Sequence, residues 1–208
     1  MRNVLAGFVY RTLQILAWII LRLGFGLKVS GREHIPRRGG FVLACNHLSY
    51  MDPVVLGAAC PRRLVFVARA DLLEVRVLGP FMRFVQTIPI HQHDADVSLR
   101  EAVRLLRRGH PVAIFPEGGR QFSGTLGVAK PGVGLLAASA QVPIVPVLLQ
   151  GTFEALPPTA RTLRPTKIQV AFGPQIGYPV ERFVDDLYDR LAQQVTASWQ
   201  RLSKTPVL

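Results

Sequence analysis

A histidine and an aspartate five positions apart, His47 and Asp52, lie in the segment Asn46-His47-Leu48-Ser49-Tyr50-Met51-Asp52. Such a pair could do acid–base chemistry, because a neutral imidazole accepts a proton from a hydroxyl when an acid holds its other nitrogen. Inside one regular helix the spacing would set the two side chains about 140° apart. They meet only if His47 lies in a loop and Asp52 at a helix start. The apolar run Phe41–Cys45 reads as a buried strand. Pro53 suits a first helical position, with Asp52 as its cap. No serine or cysteine is obviously paired with His47, so the hydroxyl to be activated would belong to a substrate. The same residues are open to a plainer reading, a turn histidine and a capping aspartate.

A second cluster, Phe115-Pro116-Glu117-Gly118-Gly119-Arg120, follows another apolar run. It sits where open α/β sheets bind ligands. Gly118 and Gly119 let backbone N–H groups approach an anion, and Arg120 offers a planar fork for phosphate. Glu117 could accept from a substrate hydroxyl or hold Arg120 or a backbone amide. The plain alternative is a glycine turn with a surface salt bridge. Lys130, ahead of Pro131-Gly132, either closes the same mouth or is simply solvated. His91, His93, Asp94 and Asp96 have no further ligand at metal-site spacing, so they read as a polar loop. Cys45 and Cys60 read as buried free thiols of a reducing compartment.

The elements that must position these residues alternate along the chain. Strands are expected over 41–45, 64–68, 87–90, 110–115, 142–149 and 168–172. Helices are expected over 53–60, 71–84, 95–108, 133–140 and 181–202. In the 95–108 helix Ser98 and Glu101 stand at capping-box spacing, with Gly109 as the stop. Pro143 and Pro146 suggest that their strand lies at an edge or is irregular. The alternation predicts an α/β fold: a single domain with a largely parallel mixed sheet flanked by helices. Ahead of that domain, residues 29–208, lies an N-terminal segment, residues 1–28, in which Val4–Leu27 is almost wholly apolar, broken by Arg11, Gln14 and Arg22. Arg11 and Arg22 return to within about 20° of each other on a helix. The run Ile15–Leu21 is too short to cross a bilayer, and burying an arginine there would cost about 2.5–3.5 kcal/mol. The segment therefore reads as a membrane-interface helix, or a helix pair broken at Gly24 or Gly26. Its alternative is a helix packed on the protein's own core.

The chain has 208 residues, a net charge of +12 and 49% apolar residues. That is enough for one domain with a core and excludes disorder. The charge fits an anionic membrane face or a phosphorylated substrate. Nothing resembles an RNA-binding aromatic set, a zinc finger or a basic zipper, so no nucleic-acid partner is expected.

Together the two clusters resemble the glycerolipid and lysophospholipid acyltransferase superfamily. Asn46, His47 and Asp52 meet an Asn-His-x-x-x-x-Asp motif; Phe115, Pro116, Glu117, Gly118 and Arg120 meet Phe-Pro-Glu-Gly-x-Arg. Val142, Pro143, Ile144 and Pro146 match a further strand motif, and the likeness covers about residues 30–150. The resemblance implies transfer of a fatty acyl group from a thioester, on CoA or on an acyl carrier protein, to the hydroxyl of lysophosphatidic acid, giving phosphatidate for phospholipid biosynthesis. It implies His47 and Asp52 as catalytic residues, His47 being the general base. It implies Asn46, Arg69, Glu117, Gly118, Gly119 and Arg120 on the substrate. It implies no metal and no bound cofactor, the acyl thioester being a co-substrate. It also implies an anionic membrane surface as partner, at the cytoplasmic face of the inner or plasma membrane. Gln92 stands where the superfamily has an arginine, and Gly119 where it usually has threonine. A different lyso-lipid head group is therefore the alternative acceptor, and a non-catalytic lipid-binding protein of the same fold the alternative function.

Overall fold

In the computed structural model the central strand is β2 (Val42–Cys45), whose four residues are all fully buried. The structure describes residues 2–69, 87–90, 95–160, 162–178 and 186–205. Side chains on alternate positions of β2 enter opposite faces of the sheet. Leu43 and Cys45 join the core beneath α1 (Arg2–Phe25) and α2 (Asp52–Ala59). Val42 and Ala44 join the core beneath α3 (Ala95–Arg107), α4 (Gly132–Ala140) and the C-terminal helix α6 (Leu187–Lys204). A strand covered on both faces is a continuous apolar run rather than an alternating one, which is why Phe41–Cys45 is so plain in the sequence.

The remaining strands are β1 (Lys28–Ser30), β3 (Val65–Arg69), β4 (Ile88–Ile90), β5 (Val112–Ile114), β6 (Ile144–Gln150) and β7 (Gln169–Phe172). The sheet of the described residues runs β1-β7-β6-β2-β5-β3-β4. All neighbours are parallel except β6 and β7, so β1 and β7 run against the other strands. The largely parallel mixed sheet is as expected, and β1, hidden in a basic connection, adds a strand the sequence did not suggest.

Two open alternatives are decided and one local expectation, the Ser98 cap, is corrected. β6 is interior, between β2 and β7, not at an edge. It tolerates Pro146 because that residue faces a break in the β7 ladder: Gly173 N–H donates to the Pro146 carbonyl at 2.8 Å, and pairing resumes only at Ile144 with Ile176. The donor that proline lacks thus falls at a bulge. Ser98 is not a helix cap, since α3 is already under way at Ala95 and Glu101 bonds Arg104 Nε at 2.7 Å. Finally, α1 is one helix, not a pair. At Gly26, φ +55°, it stops, and Leu27 N–H reaches back to Leu21 O at 3.1 Å. The helix expected over 71–84 lies outside the described residues.

α1 leaves most of its apolar side chains exposed and turns one polar side chain, Gln14, toward the protein. Gln14 is buried, and its Nε2 donates to the carbonyls of Gly57 and Cys60, both at 2.7 Å, at the end of α2. Phe8 is 71% exposed, Leu16 51%, Ile20 55% and Leu23 82%. By length and composition alone Gly7–Phe25 is apolar enough to cross a bilayer. The buried Tyr10, Gln14 and Leu21 nevertheless keep one side of it on the domain.

Candidate active site

β2 and β5 are neighbours and parallel, so the loops leaving their C-terminal ends emerge side by side. One carries His47 and the other Glu117 to Arg120. A direct bond joins them: the Gln121 amide donates to the His47 carbonyl at 3.0 Å.

His47 Nδ1 lies 2.8 Å from Asp52 Oδ2. A carboxylate can only accept, so Nδ1 carries the hydrogen and Nε2 is left as the basic nitrogen. The imidazole ring stacks on Phe115, centroids 4.0 Å apart and planes at 21°, so the end of β5 fixes its plane. Asp52 is fully enclosed, and the same Oδ2 accepts the amides of Leu48 and Ser49, each at 2.7 Å. The aspartate is therefore not a cap in the expected sense. It is the first helical residue, it reaches back over the loop it closes, and Pro53 follows it.

Asn46, expected on the substrate, is fully buried and uses both ends of its amide on β6. Its Nδ2 donates to Leu149 O at 3.0 Å and its Oδ1 accepts Leu149 N–H at 2.7 Å. That pairing extends the sheet by one side chain and aims the residue that follows. Arg69 ends β3, and its side chain, like all of Gln92, His91 and His93, lies outside the described residues. Among the described residues no cluster of His, Cys, Asp or Glu could hold a metal.

In the second loop Gly118 adopts φ +80°, and a β-carbon there would come 2.7 Å from Lys130 Nζ. The positive φ favours glycine at 118, while the lysine tip could swing aside; at 119 nothing lies within 4 Å, so space does not demand it. The Lys130 amide donates to Pro116 O at 2.9 Å, which brings its side chain over the loop. Lys130 is exposed to solvent with its Nζ over Gly118, so both of its readings stand. The Arg120 guanidinium lies 3.7 Å from the centroid of the Tyr50 ring, a cation–π contact across the two loops.

Glu117 is 5% exposed, and neither carboxylate oxygen has a hydrogen-bond partner in good geometry. Burial pushes its pKa up to about 7, against the weaker pull of the Gln121 side chain and the His47 and Gly127 amides. Asp52 Oδ1 and an Arg120 Nη1 are likewise buried and unpartnered. Unsatisfied polar groups of this kind are rare in native interiors, and here they gather around one histidine, as at sites built for a ligand. Tyr50 and Gln121 were not singled out from the sequence, and Phe115 was named there only as a motif residue, without a role. Their roles come from contacts between loops far apart in the chain, for which spacing carries no signal. Cys45 and Cys60 are free and buried, and burial raises the Cys45 thiol well above its usual range.

The family model described as Acyltransferase matches residues 26–150. A 1-acyl-sn-glycerol-3-phosphate acyltransferase of Bacillus subtilis is 30% identical over 135 residues, 64% of this chain and 67% of that one. The enzyme of the same name from Limnanthes douglasii is 28% identical over 201 residues, 92% of this chain and 70% of its own. Among solved structures, the 1-acyl-sn-glycerophosphate acyltransferase PlsC of Thermotoga maritima superposes with a TM-score of 0.81. That match covers 99% of this chain and 84% of the other at 22% identity, and so speaks for the fold. The family match takes in both loops and the strands that present them, and on it this protein belongs to the acyltransferase family, as an O-acyltransferase.

Proposed function

We propose that the protein transfers a fatty acyl group from an acyl thioester to the free hydroxyl of 1-acylglycerol-3-phosphate, forming phosphatidate, with His47 as general base. The observation that carries this reading is the His47 Nδ1–Asp52 Oδ2 bond at 2.8 Å, which reserves Nε2 for a proton. The names of the relatives support the acceptor.

In the step itself the acceptor hydroxyl gives its proton to His47 Nε2 as its oxygen bonds the acyl carbonyl carbon. The carbon–sulfur bond then breaks, and the departing thiolate takes the proton from the imidazolium. Asp52 holds the ring and favours its charged form. Arg120 and Lys130 attract the phosphate. Glu117, half protonated near neutrality, donates a hydrogen bond to a phosphate oxygen or accepts one from the glycerol. A fully charged carboxylate there would repel the head group. The thioester rides on CoA or on a carrier protein, and neither a metal nor a bound cofactor enters the step. α1 holds the enzyme in the membrane interface, where both lipid and product reside; its bare apolar face supports this.

The test offers one acyl thioester to the protein and its His47→Ala variant with a panel of lyso-lipids differing in head group. The reading expects phosphatidate from the parent and a loss of roughly 10²–10⁴ in rate for the variant. Near-parent turnover by the variant rejects the base. Acylation of another lyso-lipid in preference reassigns the acceptor. Lipid binding without thioester consumption on any acceptor makes the protein a non-catalytic lipid binder.

A further inference from the structure

On the side of α1 away from His47's loop, where α1 meets the end of α2, a hollow of about 190 Å³ opens to the surface. Its walls include Arg11, Gln14 and Trp18 of α1, Cys60 after α2, and Arg32 of the 3₁₀ turn Arg32–His34. The volume is several times the roughly 30 Å³ share of one water molecule, enough for a phosphate group. Two guanidinium groups face this one hollow, and neither pairs with a carboxylate: the ion pairs of the described residues are His47–Asp52 and Arg104–Glu101.

Each guanidinium is tethered by one bond. An Arg11 Nη donates to Gln14 Oε1 at 2.7 Å, and Arg32 Nε donates to Ala59 O at 3.1 Å. The tethers fix the direction of both groups and leave their other N–H donors uncommitted among the described residues. Closing the carbonyl end of α2 accounts for one bond of Arg32, to Ala59, but not for Arg11, because Gln14 serves Gly57 and Cys60. Both arginines are exposed at the rim, and an anion seated in the hollow would be attracted by both charges. Next to the hollow, Ile15 is 50% exposed and Trp18 36%, continuous with the bare apolar face of α1. A ligand that meets both features has an anionic head and a hydrocarbon body. Indole at such a boundary suits the level of lipid head groups.

We infer that this hollow binds the phosphate of one anionic glycerophospholipid from the bilayer, with its acyl chains lying along Ile15 and Trp18. It is a site for a resident membrane lipid, separate from the loops that carry out acyl transfer. It turns the general attraction of a basic protein for a membrane into a one-to-one, head-group-selective contact.

The test delipidates the full chain and incubates it with vesicles of phosphatidylcholine carrying a fraction of phosphatidylglycerol. Native mass spectrometry then counts the lipids retained. The expected result is one phosphatidylglycerol per chain, kept in excess inorganic phosphate. Retention should fall at least tenfold in the Arg11→Gln, Arg32→Gln double variant and stay at the parent level in an Arg104→Gln, Arg108→Gln control on the opposite face. Turnover of a detergent-dispersed acceptor should match the parent in both. If the double variant does not fold, Arg11→Gln alone, which leaves the Gln14 contacts to α2 in place, should still lower retention severalfold. Parent-level retention in the hollow's variants overturns the proposal. So does an equal loss in the control, which would reduce the effect to net charge. So does displacement of the lipid by inorganic phosphate, which would make the hollow a free-anion site.

Discussion

His47 is held on two sides, by Asp52 through a hydrogen bond and by Phe115 through ring stacking, and so has little freedom of tilt. Arg120 is oriented in a comparable way by the face of Tyr50. Replacing Tyr50 with Ala removes a contact worth about 0.5–2 kcal/mol and should raise the KM for a phosphorylated acceptor about 2–30-fold with kcat nearly constant. Tyr50→Phe, which keeps the ring, should stay near the parent; an unchanged KM in Tyr50→Ala would show that the stacking does not orient Arg120. Glu117 gives a pH prediction. Its ordinary pKa of 4.5 rises to about 7 on folding, so between those values the folded chain binds more protons than the unfolded one. Stability attached to this group is present at low pH and is lost as pH rises through the folded pKa. Glu117→Gln should therefore gain most in thermal midpoint over the parent at about pH 8 and gain least below about pH 4, where the carboxyl is neutral in both the folded and the unfolded chain. A difference between the two proteins that does not vary with pH would count against the raised pKa. At this scale the sequence was informative where chemistry is packed into short spacing. His47, Asp52, Glu117 and Arg120 could be read because each cluster lies within a few residues. Asn46 could not be placed correctly, since its partner, Leu149, is more than a hundred positions away.

The elements were legible where burial imposes a pattern, an unbroken apolar run in β2 and a helical period in α6, and less so where a neighbour decides. Pro146 signalled an edge or an irregular strand, and a bulge beside it makes the strand irregular inside the sheet. Ser98 and Glu101 mimicked a capping box in mid-helix. Lys28–Ser30 is too short and too polar to announce itself as a strand and exists because β7 lies beside it. The approach of α4 to α6 could not be foreseen either. A β-carbon at Gly134 would come 2.6 Å from the Tyr188 carbonyl oxygen, closer than such atoms can lie. Gly134→Ala must push α6 outward, and overpacking of this kind costs about 1–3 kcal/mol. Thermal melts should show the midpoint falling by several degrees, while acyl transfer measured well below it survives. A midpoint equal to the parent's would mean that the two helices part without cost.

Among the described residues, one face of the sheet is closed by three helices, α3, α4 and α6, and the other is covered by α2 together with a helix whose outer side is bare. A soluble amphipathic helix turns its polar side to water; α1 does the reverse at Gln14, which is sealed against α2. If that bare side rests in lipid, Leu16→Glu, Ile20→Glu and Leu23→Glu together should abolish sedimentation with vesicles and leave the fold unchanged, since all three side chains are exposed. Continued sedimentation would mean that α1 is not the contact. The α/β architecture and the apolar N-terminal helix were both readable in advance, because each depends on runs of residues rather than on single contacts. A practical benefit follows from the two sealed sulfurs at Cys45 and Cys60. A cysteine introduced on the outer side of α1 would be the sole thiol open to a maleimide, so a fluorophore or spin label can report depth in a bilayer without first stripping out the native residues.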